Sequence, residues 1–277
     1  VRLCLRGLAA AACSAAAACA PTLLKLPSGP GAPATDVRDA VAEATVTCRG
    51  VRTLSAELAA TGSIGGEGLR GRLLVGVAAP ASARIEAAAP FGQPVFILVA
   101  RGDDATLLLP REDRVVQHSQ PEAVLEAITG VPIDAAELRT VLTACAVAPE
   151  AESGRSLGDD WRVVKDGPTE VYLRRETRSG PWHVAAILHG GSVGGRDASG
   201  GLALAWRAEY RDFQDGLPRA IRLVADDSRH FDLRLALTQV EVNNTLGADV
   251  FHVNVPRSAR PMTLEELHDA RPGLRKD

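Results

Sequence analysis

The sequence predicts a mainly β protein with a few helices, an α+β chain built on an antiparallel sheet with one face buried. Three observations carry this. Apolar residues recur at every second position over much of the chain. The alternating stretches are short and separated by Gly, Pro, Asp and Asn, which stop strands and make turns. Only a few windows change to the 3.6-residue period of a helix.

The first helix is predicted over 36–48, where Val37, Val41, Ala44 and Cys48 form one apolar stripe. Strands follow at 69–78, 81–87, 95–100 and 105–109. In 81–87, Ala83, Ile85 and Ala87 share one face while Ser82, Arg84 and Glu86 share the other, as the two-residue pleat requires. Two helices then interrupt the strands. One covers 121–129, with Pro121 at its start and Gly130 just past its end. The next opens with a capping box, Asp134 and Glu137, and turns Leu138, Val141, Leu142 and Cys145 to its apolar side.

Further strands are predicted at 161–164, 171–175, 184–188, 202–210, 220–225, 231–242 and 250–255. Leu202, Leu204, Trp206, Ala208 and Tyr210 share a face, as do Phe231, Leu233, Leu235 and Leu237. The last set then changes phase to Val240 and Val242, which predicts a bulge or bend. Residues 192–201 read as a polar, Gly-rich loop. A final helix opens at Thr263 with Glu266 three residues on, and ends before Pro272. No internal repeat is visible.

The N-terminal stretch reads as a bacterial lipoprotein signal. Arg2 and Arg6 precede a short apolar run, and small residues lead to Cys19 and Ala20. The run is shorter than the roughly 20 residues of a spanning helix. A plain secretory signal cut near Ala18 or Ala20, or an alanine-rich leader, fits the same residues. On the lipoprotein reading, 1–18 is the signal and 19–35 holds the lipidated Cys19 and a Pro/Gly linker. The folded domain is then 36–256, with a helix and tail over 257–277.

Composition excludes some functions. The formal net charge is −3 and no basic tract occurs, so nucleic acid has no support as a partner. Aromatic residues make up 4% of the chain, too few for base-stacking platforms. Cys4 and Cys13 leave with the signal. Cys48 and Cys145 then form either a disulfide, in an oxidising compartment, or two small buried side chains. There is no Cys-x-x-Cys, and the six histidines lack ligand spacing, so neither a metal site nor a cofactor is indicated.

Several motifs lose their usual meaning in context. Gly66-Glu67-Gly68-Leu69-Arg70-Gly71 matches a dinucleotide fingerprint, but an alternating strand follows it where a helix should, so it reads as a hairpin turn. Gly190-Gly191-Ser192-Val193-Gly194 matches a nucleophile elbow without the helix that holds the serine. Esterase chemistry at Ser192, with His230 or His252 as base, is therefore a minor reading. Asp103-Asp104, Asp159-Asp160 and Asp226-Asp227 fall at expected turns, and Arg101-Gly102-Asp103 reads as a hairpin tip. Non-catalytic binding is the leading expectation.

Three local patterns, taken in order, resemble the lipoprotein receptor LolB and its LolA-like relatives. The first is Ala83-Arg84-Ile85-Glu86 leading into Ala89-Pro90-Phe91-Gly92-Gln93-Pro94. The second is Ile128-Thr129-Gly130-Val131-Pro132-Ile133, followed by Leu138 and Val141-Leu142. The third is the strand pair 217–225 and 231–242. The resemblance implies a strongly curved, incompletely closed antiparallel β-barrel, with helices plugging the open side and an apolar cavity for acyl chains. By face assignment, Ile85, Phe96, Leu98, Trp206, Phe231 and Leu233 are the candidate cavity residues. Phe91 occupies the family's exposed turn position and is the candidate membrane contact; the alternative packs it beneath a neighbouring helix.

The implied ligands are the acyl chains of lipoproteins or other lipids, and the implied partners are a periplasmic lipoprotein carrier and the membrane that holds the N-terminal lipid. By resemblance the site is periplasm-facing, at the outer membrane. The chain departs from the family in its few aromatics, its long tail and its extra cysteine pair. A protein-binding envelope module, such as a stress sensor or assembly partner, is the second expectation.

Overall fold

The computed structural model describes residues 22–89, 91–147, 153–190 and 205–270. After a short edge strand β1 (Ala32–Pro33) and helix α1 (Val37–Arg49) come β2 (Thr53–Ile64), β3 (Glu67–Ala78), β4 (Ser82–Ala88), β5 (Ile97–Arg101), β6 (Asp104–Leu109) and β7 (Arg114–Ser119). Helices α2 (Pro121–Thr129) and α3 (Ala135–Thr143) interrupt the strands. Then follow β8 (Arg155–Ser156), β9 (Trp161–Asp166), β10 (Thr169–Arg174), β11 (His183–His189), β12 (Trp206–Arg211), β13 (Ala220–Ala225) and β14 (Phe231–Val242). The last elements are a 3-10 turn at Ala248–Phe251, β15 (Arg260–Pro261) and α4 (Leu264–Ala270).

All strands belong to one curved sheet in the order β1-β8-β9-β10-β11-β12-β13-β14-β2-β3-β4-β5-β6-β7-β15. It is open, because β1 and β15 lie at opposite edges. Every pairing is antiparallel except β15 with β7. The helices pack on one face, called inner here: α1 against β9, β10 and β11, α3 against β3 and β4, and α2 against β6. The main core lies between them and the inward residues of each strand.

The alternation predicted for 81–87 and for Phe231, Leu233, Leu235 and Leu237 is observed, with all the inward residues buried. Trp206, Ala208 and Tyr210 are also buried inward; Leu202 and Leu204 lie outside the described residues. The phase change in β14 is a register shift between Thr238 and Glu241. Gly65 and Gly66 form a two-residue turn with φ of 59° and 79°, joining Ile64 to Glu67. Two positive φ values are what a primed hairpin turn demands, so the glycines serve the β2–β3 hairpin.

Helix signals also read correctly. Asp134 accepts from the Glu137 backbone N–H and Glu137 accepts from that of Asp134, closing the capping box. Gly130 ends α2 at φ 72°. Thr263 and Glu266 make the equivalent exchange at the start of α4.

Three expectations need correction. Residues 53–64 and 114–119 are strands that the alternation did not single out, and 53–64 is β2, at the middle of the sheet. The segment 250–255 is not a sheet strand: after the 3-10 turn its backbone lies on β4, where the Arg84 guanidinium donates to the carbonyls of Val250 and His252 at 3.2 Å each. Residues 22–35 do not form a free spacer. Glu209 accepts from the Leu24 N–H at 2.8 Å, Arg207 donates to the Leu24 carbonyl, and Arg211 donates to the Thr22 carbonyl at 2.8 Å. Residues 22–26 are therefore a strap across the outer face of the sheet, and Ala32–Pro33 pair with β8 at its edge. Leu26 adds to a small outer cluster with Val163, Tyr172 and Ala186.

Candidate functional site: an apolar seam beneath the α2–α3 hairpin

The seam lies between the sheet and the α2–α3 hairpin. Its floor comes from alternate residues of the central strands: Leu58 and Ala60 on β2, Leu69, Leu73 and Val75 on β3, Ile85 on β4, Leu223 on β13, and Leu233 and Leu235 on β14. Its roof comes from Leu125 and Ile128 on α2, Val131 and Ile133 in the connection, and Leu138 on α3. Phe96 closes one side. A cavity of about 70 Å³ remains between these surfaces.

The lining includes one polar side chain, Thr129. Its hydroxyl donates to the Leu125 carbonyl at 2.7 Å and accepts from the Val131 N–H at 3.2 Å. No polar side chain of the lining is thus left to face a ligand, and the seam suits hydrocarbon. Ligand pockets usually measure ~300–1,000 Å³, so the hairpin fills most of the available space.

The hairpin's base is joined to α1 by a bond between Cys48 and Cys145, whose Cα atoms are 5.6 Å apart. Its tip at Gly130 abuts Ile64, His230 and Phe231, at the turn ends of β2 and β14; a Cβ on Gly130 would lie 3.1 Å from the Ile64 side chain. The base is covalently tied to α1, and the tip packs against the ends of β2 and β14.

Of the six residues predicted for the cavity, Ile85, Phe96 and Leu233 line it. Leu98 and Phe231 are wholly buried in the core outside the lining, and Trp206 stacks on His189 with ring centroids 5.3 Å apart. Face assignment gave their side of the sheet correctly but not their distance from the hairpin. Sequence reasoning missed the roof. Its signal was Val131 and Ile133, apolar residues inside a connection that would be polar if it were solvated.

Phe91 sits in the β4–β5 connection and is 90% exposed, so it is not packed beneath a helix. The Arg111 guanidinium fixes this turn by donating to the carbonyls of Phe91 at 3.3 Å and Gln93 at 3.2 Å. The turn leaves the sheet at the same strand ends as the β2–β3 hairpin tip, since Arg72 pairs with Ala88 and the tip lies beyond Arg72. It therefore adjoins the end at which the α2–α3 tip rests.

Cys19 and Ser192 lie outside the described residues. His230 and His252 are both exposed. Among the described residues, no cluster of three or more His, Cys, Asp or Glu has metal-site geometry, and no helix is long and apolar enough to cross a membrane.

The fold is shared with a solved structure. A LolA superfamily protein from Nitrosomonas europaea superposes with a TM-score of 0.51 at 11% identity, over 78% of this chain and 97% of that one. A DUF1329 family protein from Desulfovibrio piger gives 0.44 at 11% identity, over 79% and 98%. The Mycobacterium tuberculosis lipoprotein LppX gives 0.33 at 12% identity, over 76% and 97%. No family model matches the sequence, and no curated protein matches it. The expected LolA-like fold, a curved sheet left open with helices on its inner side, is thus the observed one.

Proposed function

We propose that this protein is a lipid-anchored, periplasm-facing binder of acyl chains that receives lipoproteins and delivers them to the outer membrane. The observation that carries it is the seam: sheet and hairpin enclose an almost wholly apolar surface with no unspent polar group. Each buried methylene is worth about 0.8 kcal/mol, so a long acyl chain offsets the packing given up when the hairpin tip lifts. The likeness to a LolA superfamily protein supports the carrier reading at the level of fold. Phe91, exposed on a pinned turn, is the proposed point of membrane contact, and Cys19 the proposed site of the lipid anchor.

The test is native mass spectrometry with lipid extraction on the protein carrying Cys19→Ser. A co-purified phospholipid or acylated peptide, or uptake of added lipoprotein, is the expected result. An empty protein that takes up neither overturns the reading. One observation favours the second reading, an envelope module that binds a protein: at about 70 Å³ the cavity is already nearly filled. On that reading the hairpin stays closed and no acyl chain enters.

A further inference from the structure

The outer face of the sheet is covered by the chain itself at two places and open between them. The strap from Thr22 to Leu26 covers β12 and the strands before it. The segment around Val250 covers β4. Between them lie strands β13, β14, β2 and β3, whose outer surface has an unusual pattern; the 244–246 segment reaches only its far end, at Thr53 and Gly76.

Three alanines stand side by side across it, because Ala220 pairs with Ala236 and Ala236 with Ala59. The same row ends in Arg211 on β12 and Arg72 on β3. Two residues along each strand, a second row runs through Arg222, Arg234, Thr61 and Arg70. The small side chains make the floor of a trough of about 210 Å³, lined by Arg211, Arg222 and Arg234 together with the buried Glu209, and Arg70 and Arg72 stand on the exposed surface of β3 beside it. Like charges directly opposite one another destabilise a sheet, yet Arg222 and Arg234 are direct partners.

The carboxylates here do not balance this charge. Asp232 is shared between Arg222 at 2.8 Å and Arg234 at 3.4 Å. Glu209 is shared between Arg207 at 2.5 Å and Arg211 at 3.5 Å. Glu57 meets Arg72 at 3.0 Å. The face is therefore cationic in a chain whose net charge is −3. The Nε of Arg234 is buried without a partner, a donor left unspent at the trough. Leu74, beside Glu57 in the neighbouring row, is 46% exposed and adds an apolar side chain to the same surface.

The strap says what lies nearby. The Arg211 side chain that ends the trough also holds the Thr22 carbonyl. Cys19, the proposed anchor, is three residues earlier in the sequence. We infer that this arginine-walled trough is a docking face for the anionic headgroups of the bilayer that holds the anchor. The orientation it sets rests on the proposed lipidation of Cys19, while the charge and shape of the face do not.

The experiment is vesicle co-sedimentation of the chain carrying Cys19→Ser, so that no anchor contributes. Vesicles are phosphatidylcholine with or without phosphatidylglycerol. Binding is expected only with phosphatidylglycerol, and salt should weaken it. Each basic residue near an anionic surface contributes about fivefold in partition, so Arg70→Gln with Arg72→Gln should weaken binding roughly 25-fold. Arg101→Gln, at the β5–β6 hairpin tip, should leave it unchanged. Ala59→Glu, which puts a carboxylate in the trough through an exposed position, should abolish binding and is a second test should the double variant misfold. Equal binding to both vesicles, or no effect of either trough variant, overturns the inference. The mass of the unmodified protein extracted from membranes reads Cys19 lipidation separately, so failure of the anchor and failure of the face are distinct results.

Discussion

Asp36 shows how one side chain can link distant parts of this chain. It stands at the start of α1 but makes no cap hydrogen bond there. Its carboxylate instead accepts two bonds from Arg162 of β9, at 2.6 and 2.8 Å. Those bonds hold its pKa below the usual 3.8, more than burial raises it. A lowered folded pKa means that the contribution is complete above the ordinary carboxylate value and is lost as pH falls through the folded one. Asp36→Asn should cost about 1–2 kcal/mol at neutral pH, allowing for partial exposure and for the carbonyls that Arg162 keeps. Urea titrations at pH 7 and pH 3 would check it, since the difference should shrink at the lower pH. Tyr210 is the opposite case. Its hydroxyl is buried with no partner, and burial pushes its pKa up. Tyr210→Phe should therefore raise stability by up to about 1 kcal/mol, read as a higher midpoint with an unchanged slope. Phe91→Glu should leave folding and lipid uptake intact, because the ring is exposed, and block delivery to membranes; unchanged delivery would remove Phe91 from the proposed mechanism.

At the scale of elements, the α2–α3 hairpin and its tie to α1 matter most. Residues 48 and 145 are separated by 97 positions, so joining them removes much freedom from the unfolded chain. Replacing both cysteines by alanine should cost about 2–5 kcal/mol. It should also free the hairpin's base, so hydrogen exchange in α3 should rise together with the fall in denaturation midpoint. A stability loss without faster exchange in α3 would show that the bond does not restrain the hairpin. The ends of these helices were readable because caps are local: Asp134, Glu137 and Gly130 act within four residues of themselves. The β2 strand was not readable in the same way. Its inward residues Leu54, Ala56, Leu58 and Ala60 alternate with Ser55, Glu57 and Ala59, but alanine is depleted in strands and blurs the contrast between faces. Hydrogen bonds to β14 on one side and β3 on the other stabilise it there.

For the molecule as a whole, the proposed function turns on the balance between a filled and an open seam. On the proposed function, an acyl chain displaces the tip at Gly130 and takes the place of Val131, Ile133 and Leu138 against the sheet. Filling the cavity from the floor should therefore oppose binding without breaking the fold. Leu73→Phe adds bulk into the about 70 Å³ space. By excluding one or two methylenes it should weaken acyl uptake about tenfold, measured by competition with a fluorescent fatty acid. Stability should change by less than about 1.5 kcal/mol, as for other swaps that fit available volume. If uptake is unchanged, acyl chains bind elsewhere and the seam is only core.

The sequence by itself determined the alternating faces, the helix termini, the hairpin glycines and the presence of a LolA-like order of elements, because each depends on residues close together in the chain. It also placed Ile85, Phe96 and Leu233 on the correct side of the sheet. Only the tertiary structure decided that Leu98, Trp206 and Phe231 fall outside the seam, that Val131 and Ile133 roof it, and that residues 22–26 bind the outer face. Those outcomes depend on which strands become neighbours and where the helices land on them. Residues as far apart as Leu24 and Glu209, or Ala59 and Ala236, meet only after the sheet has formed. A two-residue period specifies a face; the curvature and order of the sheet specify what that face meets.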